Sequence, residues 1–314
     1  MEIAINIVLT IVGIAMLCYG GNWLVNGGAA IAQKFGISKM LIGLTVVAYG
    51  TSTPELAASI AAAGEHSQII LGNVIGSNIA NIGMVIGIAA ILTPLVVKKI
   101  QLKKEMPIMI GVSFLLVFLS LDGEISQYDG ILLIVVMFLF TIYTYRDAKK
   151  QHNQNTNRNN NEIIQEKKIL GRTIVLLGIG IALLYFGAIL TIDNAVVLAE
   201  SFGLSERIIG ITVIAIGTSL PELITSIIAI RKGHTDIGVG NIIGSNIYNV
   251  LMIMGIGATI AGVVVVPEVF LDYAIMIGFA LVLVIAIKTG LITRYIGIGL
   301  TIAYSIYLAS TFFF

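Results

Sequence analysis

The chain alternates long apolar runs with short polar interruptions from end to end. A helix needs about 20 mostly apolar residues to cross a bilayer. Ten runs reach that length, at 3–33, 39–63, 68–96, 105–121, 129–146, 169–200, 206–230, 236–265, 268–287 and 293–313. The longest predict tilted or internally broken helices. The first run has no Lys or Arg before it and no A-x-A-like site after Leu17, so it reads as a spanning helix rather than a cleavable signal. The stretch "RDAKKQHNQNTNRNNNEIIQEKK" at 146–168 has almost nothing to bury and predicts a surface loop. It divides the chain into a first five-helix unit (1–146), a polar linker (147–168) and a second five-helix unit (169–314).

Composition makes the bilayer the solvent. The chain is 57% hydrophobic and 11% charged with mean hydropathy +1.00, whereas soluble domains carry about 25% charged residues. Thirty-four glycines against five prolines suit close helix packing. A net charge of +1 without a basic patch gives no reason to expect nucleic acid. The single cysteine, Cys18, excludes a disulfide within the chain and reads as a small apolar filler.

Lys and Arg fall on alternate connections: Lys34 and Lys39; Lys98, Lys99, Lys103 and Lys104; the central linker; Arg231 and Lys232; Lys288 and Arg294. The other connections hold only Arg207. The positive-inside rule places the first set, linker included, in the cytoplasm, and both termini outside.

The two units repeat each other. "FGISKMLIGLTVVAYGTSTPELAASI" (35–60) aligns with "FGLSERIIGITVIAIGTSLPELITSI" (202–227) at a shift of 167, with 16 of 26 positions identical. "GNVIGSNIANIG" (72–83) aligns with "GNIIGSNIYNVL" (240–251) at a shift of 168. Five is odd, so the units enter the membrane from opposite sides, the inverted repeat of many secondary transporters.

Each copy of G-T-S-x-P-E puts a proline and a carboxylate in mid-span. Pro54 and Pro221 lack an N–H and kink or open their helices. Carbonyls near Ala48 and Thr51, and near Ala215 and Thr218, are expected to lose partners there, which hydrocarbon tolerates only beside a cavity or a cation. Ser52 and Ser219 add hydroxyls; Glu55 and Glu222 add carboxylates that cost several kcal/mol at this depth unless paired. No Lys or Arg lies in the apolar part of these spans. One Ca²⁺ would neutralise the two charges, and carbonyls and hydroxyls would bring it toward the 6–8 oxygens it prefers. His and Cys are absent from these segments, which argues against Zn²⁺ or Cu⁺; Na⁺ would accept the same oxygens. In the second block Ser77 lies four residues before Asn81, on one helix face with Asn73; Asn241, Ser245 and Asn249 are the other copy. Asn78 and Asn246 read as interhelical hydrogen-bond partners, Ser59 and Ser226 as path-lining groups, Asn26 and Asp193 as interfacial anchors, and Asp122, Glu124 and Asp129 as a solvated face.

At these residues the sequence resembles the cation/Ca²⁺ exchanger superfamily, specifically its prokaryotic Na⁺/Ca²⁺ exchanger branch, whose repeats carry G-T-S-x-P-E and G-N-x-x-G-S-N-x-x-[ND]. The resemblance implies an all-α membrane protein of ten transmembrane helices in two inverted five-helix repeats, with broken core helices 2–3 and 7–8. It implies an antiporter rather than an enzyme, with no cofactor, in a prokaryotic cell membrane. Ca²⁺ would sit between Glu55 and Glu222 with the carbonyls of Thr51 and Thr218. Sodium sites would use the Ala48 and Ala215 carbonyls, Ser52, Ser77, Thr218, Ser219 and Ser245, with Asn81 and Asn249 bordering a central site. Helices 1 and 6 would slide across the core.

Many relatives have Asp where Asn249 stands, so stoichiometry, K⁺ dependence and proton competition stay open. A H⁺/Ca²⁺ antiporter is the nearest alternative, and a passive cation channel is one of a different class. A hydrolase would need a nucleophile with its base, or an aspartate pair, and the core spans show neither.

Overall fold

The computed structural model describes residues 2–63, 67–96, 99–156, 166–202 and 215–311. Helix dominates. Helix α1 is Glu2–Phe35 and α2 is Lys39–Thr51, the latter with a π-helical stretch at Gly43–Val47; α3 is Thr53–Ala62. A continuous helical run over 67–92, α4, contains the π-helical turn Asn81–Ile86. Strand β1 (Leu95–Val96), α5 (Lys99–Leu119), β2 (Glu124–Ile125) and α6 (Gln127–Thr156) complete the first unit. The second comprises α7 (Glu166–Ser201), α8 (Ala215–Thr218), α9 (Leu220–Arg231) and α10 (Thr235–Ala261, with a π-helical turn at Asn249–Met254). It ends with β3 (Val263–Val264), α11 (Val269–Thr289), β4 (Leu291–Ile292) and α12 (Arg294–Thr311).

Three expectations change at element ends. Residues 147–156 and 166–168, expected in the linker loop, are helical; neither stretch contains Pro or Gly, so nothing local stops the helix. Residues 157–165 of that linker, and 206–214 of an expected span, lie outside the described residues. The spans expected at 68–96 and 236–265 end early, at Leu92 and Ala261, and turn into β1 and β3. Pro94 follows the first end; Gly262, at φ +69°, stops the second in a conformation that needs glycine.

The outer surface is apolar. Ile3, Val8, Ile11, Phe118, Phe138, Phe186 and Ile306 are all exposed, a load that water does not tolerate in contiguous patches and lipid does. Cys18 is exposed on this surface rather than filling the core. Among the described residues five helices are long and apolar enough to cross a membrane: α1, α4, α6, α7 and α10. The apolar windows of α4 and α10 are 83% buried against 17% for α1, so α4 and α10 form the centre and α1 lies outside.

Contacts between the units are reciprocal. Strand β1 pairs antiparallel with β4 (Leu95 opposite Ile292), and β2 with β3 (Glu124 opposite Val264). At the repeat shift β1 corresponds to β3 and β2 to β4, so each pairing is the other with the units exchanged. Helices α1 and α7 cross in the same way. A Cβ on Gly20 would lie 2.8 Å from the Gly180 carbonyl oxygen, and one on Gly180 would lie 3.1 Å from that of Gly20; Gly13 and Gly187 form the matching pair. Backbones meet here with no room for a side chain. At the edge, Lys39 Nζ donates to His234 Nδ1 at 2.9 Å, tying α2 to the turn before α10. Burial, and then the neighbouring charges of Lys39 and Lys232, hold the His234 imidazole below its ordinary pKa, which keeps it the neutral acceptor this bond requires.

Leucine at Gly20 or Gly180 should therefore lower the melting temperature in detergent, through an overpacking cost of about 1–3 kcal/mol. Gly278→Ala, where an added Cβ meets nothing within 4 Å, should leave melting unchanged or slightly raised. Differential scanning fluorimetry checks both.

Candidate ion-binding site

Both copies of the proline motif break their helix at the serine. Ser52, between α2 and α3, has φ −85° and ψ 10°; Ser219, between α8 and α9, has φ −88° and ψ 1°. Each proline then sits in the first turn of the next helix, where its missing N–H is harmless. The break leaves Glu55 and Glu222 at the starts of α3 and α9, where helix N-termini favour negative charge.

The carboxylates come from opposite units and interact electrostatically with each other. Glu55 is 1% exposed and Glu222 0%. Among the described residues no lysine or arginine is buried, so no cationic side chain answers them. Polar groups of both units converge instead. Ser52 Oγ donates to Glu222 Oε1 at 2.8 Å and lies 2.9 Å from Ser245 Oγ, which is itself 3.3 Å from Glu222 Oε1. Thr51 Oγ1 donates to Asn241 Oδ1 at 3.0 Å. Asn73 Nδ2 donates to Ser59 Oγ, and Asn241 Nδ2 to Ser226 Oγ, both at 3.0 Å, the same bond in the two repeats. Ser59 and Ser226 thus fix the asparagines of the second motif.

The predicted residues fare unequally. Thr51, Ser52, Glu55, Ser77, Asn81, Thr218, Ser219, Glu222, Ser245 and Asn249 are all buried. Ser77 Oγ contacts Asn73 Oδ1 at 3.3 Å, whereas its counterpart Ser245 reaches a glutamate. Ala215 opens α8. The Ala48 carbonyl, expected to be left open, accepts from Ser52 N at 3.0 Å and lies 3.2 Å from Thr51 Oγ1. The reason is spacing: Pro54 cannot bond the carbonyl four residues back, which belongs to Gly50. Asn26, expected as an interfacial anchor, lies inside α1 and accepts from Lys232 Nζ at 2.7 Å. Asp129 accepts from the Ser126 amide at 2.9 Å, so part of the acidic loop cluster caps α6.

The decisive feature is a set of orphaned oxygens. Both Glu55 carboxylate oxygens, Glu222 Oε2, Ser219 Oγ, Asn81 Oδ1 and Asn249 Oδ1 are buried without a hydrogen-bond partner, six in all. A buried unsatisfied group costs about 1–3 kcal/mol, more when charged. Asn81 and Asn249 each open a π-helical turn, a distortion frequent at functional sites. Sequence reading missed Glu105 and Thr225, which also carry an orphaned buried oxygen. It also missed Met109 and Met276, whose sulfurs contact the asparagines of the second motif.

Buried carboxyl groups with neutral oxygens around them, inside a helical bundle of apolar exterior, mark an integral membrane protein with a polar interior. Comparison with known proteins narrows that class. The family described as "Sodium/calcium exchanger protein" matches residues 5–146 and 172–313, two segments offset by the repeat shift. The chain belongs to this family, in the prokaryotic Na⁺/Ca²⁺ exchanger branch of the cation/Ca²⁺ exchanger superfamily; its members are exchangers, not enzymes. It is 38% identical to inner membrane protein YrbG of Escherichia coli (strain K12) over 86% of this chain and 84% of that protein. It is 32% identical to the sodium/calcium exchanger MaX1 of Methanosarcina acetivorans over 99% of both. A structure of the sodium-calcium exchanger NCX_Mj soaked with Na⁺ and Sr²⁺ superposes with TM-score 0.85 at 31% identity, covering 98% of this chain and 99% of that one.

Glu55→Gln should raise the melting temperature of the cation-free protein at alkaline pH, since it removes one of two facing buried charges. It should also remove most of the stabilisation that Ca²⁺ gives the unmodified protein, which for bound ligand at 100 times Kd is about 2.7 kcal/mol. Melting curves with and without Ca²⁺ read both signs.

Proposed function

We propose that the protein is a secondary antiporter exchanging Na⁺ for Ca²⁺ across a prokaryotic cell membrane by alternating access. The observation that carries this reading is the facing pair Glu55 and Glu222, buried without a cationic side chain and accompanied by orphaned oxygens. Ca²⁺ would lie between the two carboxylates, helped by the Thr51 and Thr218 carbonyls. The orphaned oxygens are hard donors of the kind Ca²⁺ and Na⁺ take. Sodium ions would use Ser52, Ser77, Thr218, Ser219 and Ser245 with the Ala48 and Ala215 carbonyls, and Asn81 and Asn249 would border the central position.

The chain would cross the membrane ten times, as two inverted five-helix repeats with helices broken at Ser52 and Ser219. Three features support this: the alternation of Lys and Arg among connections, the odd number of spans per repeat, and the reciprocal β1–β4 and β2–β3 pairings. The linker would then be cytoplasmic and both termini outside. Helices α1 and α7 meet backbone to backbone through glycines, a close seam that would let the pair slide as one body against the core.

Electrostatics accounts for coupling. Two carboxylates carry −2, which one Ca²⁺ or two Na⁺ neutralises; an empty site would drag uncompensated charge through the bilayer. Exchange of three Na⁺ for one Ca²⁺ would move one net charge, worth about 2.3 kcal/mol per 100 mV. Protons can also neutralise carboxylates, so proton-coupled exchange is the second reading.

In proteoliposomes given a Na⁺, K⁺ or pH gradient alone, ⁴⁵Ca²⁺ uptake should follow the Na⁺ gradient. Uptake driven by the pH step without Na⁺ would favour the proton antiporter. Glu55→Gln and Glu222→Gln should each nearly abolish Na⁺-driven uptake, and near-normal uptake would remove that glutamate from the site.

A further inference from the structure

Two hydrogen-bond relays run through the centre of the bundle, one in each repeat sense. Asn78 Nδ2 donates to the Asn246 backbone carbonyl at 3.3 Å and lies 3.7 Å from Met276 Sδ, and Asn249 Nδ2 donates to Asn78 Oδ1 at 3.1 Å. In the other, Asn246 Nδ2 lies 3.6 Å from Met109 Sδ, and Asn81 Nδ2 donates to Asn246 Oδ1 at 3.4 Å. Met109 and Met276 stand at equal places in the repeated "IMIG" of 108–111 and 275–278. Each relay crosses between units twice and ends in an asparagine whose Oδ1 is buried and unpartnered.

A side-chain amide is close to symmetric in shape, so packing alone does not choose which end faces a cavity. Hydrogen bonding does. A thioether sulfur accepts but has no proton to give. It therefore selects the NH₂ end of Asn246, and with the Asn246 backbone carbonyl that of Asn78, which turns each residue's oxygen toward the next asparagine. That oxygen in turn selects the NH₂ end of Asn249 or Asn81, leaving their oxygens free. Reversing any amide would set NH₂ against NH₂, or an oxygen against sulfur.

We infer that Met276 with Asn78, and Met109 with Asn246, are positioning residues that hold the Asn249 and Asn81 amides oxygen-first toward the central position, making it a neutral oxygen subsite for Na⁺. This rests on the exchange reading above and deepens it. Neither methionine contacts an ion; each acts through two amides. Outer-shell partners of metal ligands commonly change affinity 10–100-fold when removed.

The test uses a carboxylate, which presents oxygen whichever way it turns. Met109→Leu conserves volume but lacks the acceptor. In the full-length protein in detergent, it should raise the Na⁺ concentration that half-reverses Ca²⁺-dependent thermal stabilisation by roughly tenfold. The same change should have no effect beside Asn81→Asp and its full effect beside Asn249→Asp. Met276→Leu should show the opposite dependence, silenced by Asn249→Asp alone, and a smaller effect, because the Asn246 carbonyl still holds Asn78. Equal effects of Met109→Leu in all three backgrounds would mean ordinary packing and overturn the inference, as would no effect in any. Melting temperatures without cations report folding separately. Parallel ⁴⁵Ca²⁺ flux in proteoliposomes keeps the two ideas apart: loss of Na⁺-driven flux in the unmodified protein sinks the exchange reading, while the binding cycles still decide the orientation of the amides.

Discussion

The structure is organised around two buried carboxyl groups that, among the described residues, have no buried positive side chain to pair with. Glu55 and Glu222 are almost wholly buried, and burial of an unpaired carboxylate costs several kcal/mol even after local relaxation. A fold can carry that cost only if something else supplies the countercharge in the working state. The protein side of the site is otherwise neutral: hydroxyls, amides and backbone. On the proposed reading such a set would bind a mobile cation without holding a resident one permanently, which is what an exchanger needs and a structural ion pair would prevent.

Duplication solves the problem of bringing two such groups together. Each unit alone has one broken helix and one carboxylate. The reciprocal contacts, β1 with β4 and β2 with β3, and Gly13 and Gly20 against Gly187 and Gly180, lock the units so that equivalent residues face one another. The same exchange of partners recurs in the core, where Met276 and Met109 reach asparagines of the opposite unit. Yet the site is not symmetric. Ser52 and Ser245 both engage Glu222, while Glu55 has no hydrogen-bond donor on its carboxylate. The two glutamates are therefore inequivalent, although their local sequences are nearly the same.

Much of this was legible in the chain. The apolar runs, the serine-proline breaks and the paired acidic residues are local features, and the repeat shift announces itself by identity alone. Helix ends were less legible. The run beyond residue 146 stays helical because Ala148, Lys149, Lys150 and Gln151 are good helix formers and no Pro or Gly interrupts it. The Ala48 carbonyl was misjudged because its partner, the Ser52 amide, is kept by the backbone geometry at the break. The repeated "IMIG" was a signal that could have drawn attention to Met109 and Met276, but a methionine on an apolar helix reads as packing.

The sequence by itself determined the solvent, the helical class, the two breaks and the presence of two buried acids, because hydropathy, proline chemistry and repetition act over neighbouring residues. Only the tertiary structure decided which oxygens are left without partners and which way the asparagine amides turn. Those choices rest on contacts between segments more than 130 residues apart, and a side-chain amide carries no preference until an acceptor from the other unit is set beside it.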